Sequence, residues 1–519
     1  MRNGIQFFCL CSLLILAACT PVQAADQATT QALSKAVIQA DPSKPAVLPG
    51  EIAGQALASP ESTWLPQKPS PFPAAGPSAS PPSAPVFGAG VLVAVELGGR
   101  RGTEIRLVDP ANGLEVPGYT LKLKGVSAYA FTSDARVLGV IESLGQSCEP
   151  YSGGSACWPK ADRLHLVDLP DWQDRAVDIP GDGWSDRLAF SSDGARLALL
   201  LHGQSEETLL LYDALTGELL AQRALDFRPS HLAFTLEDTA IALYGQPESE
   251  DPGITQPAPP RALLVEAANL ATQWEQTLEG LTSGIWCKEN CTGSHEMFQF
   301  SSWQPAVVFS PDRQRLYLVH ADQDRLTIVD FASRQARTVE IQAGSAWLNR
   351  LLALTAGVAY AKGGIEGTIK DAAISPDGSH LYVVGRSMHP ILDEQGFWQY
   401  NETSLGLQVV DVESGRLLEK RDIPAYTIQF TPGGMQLLLS GWKEPESRQS
   451  SETLDARTLE RNGFLQDWEA VATRRMDGQP VFLATRWGSS GSMLAFLDPG
   501  TLEITGVLPH RGSSTWMVP

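Results

Sequence analysis

The stretch Ile374-Ser375-Pro376-Asp377-Gly378, continued by Leu381-Tyr382-Val383-Val384, Leu407-Gln408-Val409-Val410-Asp411 and Ser414-Gly415-Arg416, decides the fold. The same order returns from Phe190-Ser191-Ser192-Asp193-Gly194 through Leu197-Ala198-Leu199-Leu200 to Leu209-Leu210-Leu211-Tyr212-Asp213 and Thr216-Gly217-Glu218. It is written about eight times between Val86 and Pro519. A repeat of roughly 40 to 60 residues made of short β-rich runs implies radial or stacked repetition of one unit.

Each clear unit carries four runs. Val307-Val308-Phe309-Ser310-Pro311-Asp312 is a strand ending in a tight turn, and Leu316 to Val319, Leu326 to Asp330 and Arg337 to Ile341 follow it. Apolar residues crowd the first three runs, whereas the fourth alternates as an outer strand with one wet face does. Asp-Gly, Ser-Gly and Thr-Gly between runs are hairpin signals, because glycine accepts positive φ. Four antiparallel strands per unit, repeated about an axis, predict an all-β propeller. The turn, second-strand and third-strand sequences resemble the YVTN-type branch of the WD40-like propellers, over residues 86–519. The resemblance implies fold far more than function. Counting second strands gives about eight four-stranded blades. Seven is the alternative, since the units near His231 and Trp468 are degenerate. The first unit lacks an innermost strand and the chain ends in a spare one, Ser514 to Val518. That strand is expected to complete the first blade and close the ring.

Upstream of the repeat, Arg2 and the apolar run Phe7 to Ala18 lead into Leu16-Ala17-Ala18-Cys19, which resembles the bacterial lipoprotein signal box. The resemblance implies acylation of Cys19 and attachment to the cell envelope through lipid; cleavage after Val22-Gln23-Ala24 is the alternative. Residues 20–85 read as a tether, with nine prolines in the 26 residues Pro60 to Pro85 interleaved with Ala and Ser. The expected organisation is therefore a signal segment over 1–19, a Pro/Ala/Ser-rich tether over 20–85 and the propeller over 86–519. A formal net charge of −20 argues against a nucleic-acid partner, which requires a basic surface. In an oxidising compartment the remaining cysteines pair locally, Cys148 with Cys157 and Cys287 with Cys291.

First–second and third–fourth connections emerge on one face of such a ring and are short throughout. The long segments, 143–162, 245–260, 385–405 and 441–452 between second and third strands, and 281–304 and 344–370 between units, belong to the other face. Long loops on a rigid scaffold are the usual place of function. Trp184, Trp303 and Trp468 each stand six residues before a comparable innermost-strand position, Phe190, Phe309 and Arg474. They are candidates to line the axial funnel, with packing between blades as the structural alternative. Trp398 and Tyr400 lie in an insertion of the same face and complete the ligand-face candidates. Cys287, Cys291, His295 and Met297 have the residue types of a copper or zinc site, and resemble the binuclear copper sequence of oxidase subunit II. Only Glu296 separates His from Met where that family has two residues, so a disulfide is favoured over a metal. No catalytic residue or cofactor is assigned. The expected function is a lipid-anchored, non-enzymatic binding or scaffold module for a protein or glycan. An exported propeller hydrolase or lactonase is the alternative.

Overall fold

In a computed structural model the described residues are 90–97, 102–151, 154–203, 206–247, 258–289, 299–341, 364–392, 398–443, 448–475, 477–488, 491–508 and 514–517. They belong to the unit Pro85–Pro519. Burial follows the strand order within each repeat. In the third strand Arg325–Asp330 the four central side chains are buried, because both faces are covered. In the fourth strand, Gln335–Glu340, no side chain is fully buried.

The repeated turn is held by its own side chains. Ser375 Oγ donates to Asp377 Oδ1 at 2.5 Å and accepts from the His380 amide at 2.9 Å. Ser310 with Asp312, Ser191 with Asp193 and Thr132 with Asp134 repeat the arrangement at 2.5, 2.6 and 2.7 Å. The aspartate ending each third strand caps the next turn: Asp411 Oδ1 accepts from the Ser414 amide at 2.8 Å, as Asp330 does from Ser333. Such Asx and ST contacts supply the turn with bonds that the ladder cannot. Gly415 sits at φ +68°, and a Cβ there would lie 2.8 Å from the Glu340 carbonyl, so glycine is required twice over.

Every second-strand run read from the sequence is a strand, and seven sheets are four-stranded blades. In the first, Val91–Leu97 lies between Gly102–Asp109 and Ser514–Met517, the latter pairing Leu92 with Met517 and Ala94 with Thr515. The second to fifth blades follow over residues 126–178, 183–225, 227–277 and 306–340, and the sixth and seventh over 427–466 and 469–507. The expectation of eight four-stranded blades is corrected here. The unit containing Ser375-Pro376-Asp377-Gly378 is the centre of a seven-stranded sheet. Its insertions are themselves β-structure: Gln299–Gln304 pairs in parallel with Gly364–Ile374, Gly284–Glu289 pairs with Gln299–Gln304, and Trp398–Ser404 extends the hairpin from His380–Leu392.

Apolar clusters lie between consecutive sheets. Phe190, Leu197 and Tyr212 of the third blade pack with Ile141 and Leu164 of the second. Ala306, Val308 and Tyr317 of the fifth pack with Ala372 and Leu381 of the seven-stranded sheet. Another cluster joins Val481, Leu483 and Phe496 of the seventh blade to Val91, Val93 and Trp516 of the first. Burying each large side chain stabilises by roughly 1.5–3 kcal/mol, so cohesion is spread around the assembly.

Candidate functional site on the loop-rich face

The insertion between Val137–Glu142 and Arg163–Asp168 is a hairpin of Gln146–Tyr151 with Gly154–Pro159. Cys148 and Cys157 oppose each other in its register and form the expected disulfide, with Cα atoms 4.0 Å apart. At its foot Trp158 stacks on Trp184, with ring centroids 5.5 Å apart and an interplanar angle of 15°. Trp184 in turn lies against His202 at 4.3 Å, and Arg228 sits 5.2 Å from its ring centroid.

His202 is buried between two carboxylates. Its Nδ1 lies 2.5 Å from Glu207 Oε2 and its Nε2 lies 3.1 Å from Asp186 Oδ1. Burial by itself would lower the pKa of the imidazole, but hydrogen bonds to Asp186 and Glu207 outweigh it and raise the value. Burial similarly opposes ionisation of Asp186, yet the Arg187 charge and the His202 bond hold it at about 2. His165 repeats the pattern below the hairpin, with Asp174 Oδ2 at 2.9 Å and Glu142 Oε2 at 3.1 Å.

A second polar group sits where the fifth blade meets the seven-stranded sheet. His320 Nε2 shares a hydrogen bond of 2.8 Å with Thr327 Oγ1, while Nδ1 is buried without a partner. Asp322 Oδ2 accepts from Thr282 Oγ1 at 2.7 Å, while Oδ1 is buried without a partner. Lys370 Nζ donates to the His320 carbonyl at 2.6 Å. Burial lowers the Lys370 pKa against the opposing charges of Asp324 and Asp322. Burial also lowers His320 to about 4, which leaves it neutral near pH 7.

The ligand-face tryptophans are not equivalent in the structure. Trp184 is half-buried in the stack just described. Trp468 is 6% exposed and packs with Leu438, Leu465 and Phe482 between the sixth and seventh blades. Trp303 belongs to the seven-stranded sheet, since the innermost strand of the fifth blade begins only at Ala306. Equal spacing therefore does not mean equal position: an added strand intervenes at Trp303. Trp398 and Tyr400 lie in a paired strand, opposite Leu392 and Pro390. Cys287 is disulfide-bonded, whereas Cys291, His295 and Met297 lie outside the described residues. Among the described residues no group of three His, Cys, Asp or Glu side chains could hold a metal ion. The sequence reading missed His202, His320 and Lys370. The available signal was a histidine directly after an apolar second strand, at Leu201-His202 and Val319-His320.

No family model and no curated protein matches the sequence. Among solved structures, the dihydro-heme d1 dehydrogenase NirN in complex with DHE is similar at 14% identity and TM-score 0.49, over 86% of this chain and 78% of that one. A eukaryotic initiation factor is similar at 11% identity and TM-score 0.42, over 82% and 89%. The β-propeller domain of Cps50 (Swd1) from Myceliophteria thermophila is similar at 13% and TM-score 0.36, over 73% and 94%. The sheet order of this chain makes its fold a β-propeller.

Proposed function

We propose that this chain is a lipid-anchored, extracytoplasmic propeller acting as a non-enzymatic binding or scaffold module for a protein or glycan. The observation that carries the reading is the one-sided placement of insertions. The disulfide-braced hairpin and the Trp398–Ser404 extension both arise from second–third connections, and the strands Gly284–Glu289 and Gln299–Gln304 from a connection between units, whereas Ser191–Gly194 and Asp213–Gly217 are minimal first–second and third–fourth turns. A rigid frame with elaborated connections on one side suits recognition. The Leu16-Ala17-Ala18-Cys19 sequence supports the anchor, although it lies outside the described residues. The intact mass of the mature protein, with and without Cys19→Ser, tests acylation; a mature chain starting at Ala25 refutes it.

We further propose that Ser514–Met517 closes the ring. Support comes from the hydrogen bond of Trp516 Nε1 to the Ala484 carbonyl at 3.0 Å, which ties the terminal strand to the seventh blade. Pulldown with the full chain would supply a ligand for titration. Trp303→Ala should weaken binding by about 2 kcal/mol or more if Trp303 is a central contact. Leu215→Ala, at a 77%-exposed position on the short-turn face, should leave affinity unchanged. The reverse pattern would put the ligand on the other face.

A further inference from the structure

We propose that the disulfide-braced hairpin Gln146–Pro159 is a pH-operated arm, docked on the third blade through Trp158 while His202 is protonated and released when His202 loses its proton. The hairpin grows from the second blade, between Val137–Glu142 and Arg163–Asp168. The stack of Trp158 on Trp184 ties it to the third blade. Trp184 pairs with His202 across the first two strands of that blade, and their ring centroids lie 4.3 Å apart. One indole therefore carries both the tip of the arm's contact and the imidazole ring. The hairpin's own closure is a disulfide and backbone bonds, such as the Lys160 amide to the Gly145 carbonyl at 3.0 Å. These do not titrate below the range of a lysine, so the arm moves as one piece.

The charged groups around His202 come from three strands. Asp186 on Gly183–Phe190 lies 3.1 Å from Nε2, and Glu207 on Glu207–Asp213 lies 2.5 Å from Nδ1. Arg187 pairs with Asp186 at 3.1 Å. Arg228 on Phe227–Thr235 approaches Glu207 at 3.5 Å, with its guanidinium 5.2 Å from the Trp184 ring centroid. A neutral imidazole donates from one nitrogen only, so the other would turn a lone pair onto a carboxylate. Asp186 and Glu207 keep their arginines and stay charged, which leaves the ring as the group that must shift. Its shift takes a cation away from the indole on which Trp158 rests. Burial opposes the charge on His202, but the bonds to Asp186 and Glu207 raise its pKa, so release comes above the ordinary 6.5.

The root of the arm is built in the same way. Glu142 ends the strand that leads into the hairpin, and its Oε2 lies 3.1 Å from His165 Nε2 and 3.7 Å from Arg163 Nη1. His165 Nδ1 lies 2.9 Å from Asp174 Oδ2. Loss of the His165 proton loosens the root in the same direction. Lys160 opposes release through Asp182 at 3.0 Å and Asp162 at 3.4 Å, but a solvent-exposed pair such as Lys160 with Asp182 contributes little.

The test is hydrogen exchange of the full chain, disulfide intact, from pH 6 to 10 and corrected for base-catalysed intrinsic exchange. Residues 146–159 should exchange about two- to thirtyfold faster once His202 has titrated, the span a cation–π contact covers, while Gln436–Lys443 of the sixth blade keeps its protection. His202→Gln, neutral at every pH, should expose 146–159 already at pH 6 and abolish the pH response. Melting curves show whether that variant folds; if it does not, nuclear magnetic resonance titration of His202 in the wild type and in Trp158→Ala decides. Coupling is reciprocal, so loss of the docking ring should lower the His202 midpoint. Protection at 146–159 that is constant with pH, or lost only together with the whole chain, overturns the proposal. So does the same pH response in His202→Gln, or a His202 midpoint that Trp158→Ala leaves unmoved.

Discussion

Both ring nitrogens of His202 face carboxylates, an arrangement that favours the imidazolium, in which both nitrogens donate. Its pKa is raised relative to the unfolded chain, as is that of His165. The sign follows: their contribution to stability is full below the unfolded value of about 6.5 and is lost as pH rises through the higher folded values. Denaturant midpoints measured from pH 6 to 9 should fall, and His202→Gln should flatten that slope; an unchanged slope in the variant would remove His202 from the account. His202→Gln should also destabilise by about 3–5 kcal/mol, because Asp186 and Glu207 lose the charge between them. The turn aspartates have the opposite sign. Hydrogen bonds from the side chains of Ser375 and Ser379 hold Asp377 at about 2. Stability from Asp377 and Asp186 is present above about 3.9 and lost as pH falls through the folded values. None of the His202 arrangement is visible in spacing, because Asp186, His202 and Glu207 meet across three strands. Nor could sequence reveal that Lys370 reaches back to the His320 carbonyl across 50 residues.

The turns and strand runs were legible because their determinants are local. Ser375, Asp377 and His380 act within six residues, and Asp411 with Ser414 within four. Ser375→Ala should therefore destabilise by about 1 kcal/mol, read as a small shift in melting temperature. The seven-stranded sheet was not legible, because its parallel pairing of Gln299 with Gly364 spans 65 residues and Gln299–Gln304 lies outside the repeat. That join depends on Gly367, where φ is +145° and a Cβ would fall 1.9 Å from the Ser302 carbonyl oxygen. Gly367→Ala should release the Gln299–Gln304 strand; faster hydrogen exchange at 299–304 with the blades unaffected is the expected result. The hairpin of Gln146–Pro159 behaves as a separate local element. The Cys148–Cys157 bond closes nine residues of sequence separation, for which chain entropy gives about 2–3 kcal/mol. Reduction should make 146–159 a site of proteolysis while the main melting transition stays put.

Over the whole molecule, cohesion comes from interfaces shared by neighbours, and the first blade depends on residues from the far end of the chain. Ser492 Oγ donates to the Ser514 carbonyl at 2.5 Å, and Tyr129 Oη reaches the Trp516 carbonyl at 3.5 Å, so the terminal strand touches the blades on both sides. Removing residues 509–519 should strip the inner partner from Val91–Leu97 and uncover Val91, Val93 and Met517's former neighbours. We expect loss of soluble monomer, or a markedly lower melting temperature by calorimetry; a truncated chain melting like the full one would show the terminal strand to be dispensable. The pairing of Leu92 with Met517 also sets an order of events in time. A chain that emerges N-terminus first, from a ribosome or an export channel, exposes Leu92 long before Met517, so the earliest blade waits with an open edge. Blades two to seven can fold as they emerge, but the first must be kept from pairing elsewhere until the last residues arrive. Synthesis direction thus makes the N-terminal blade the last to mature, and the species most in need of a chaperone is a nearly finished chain.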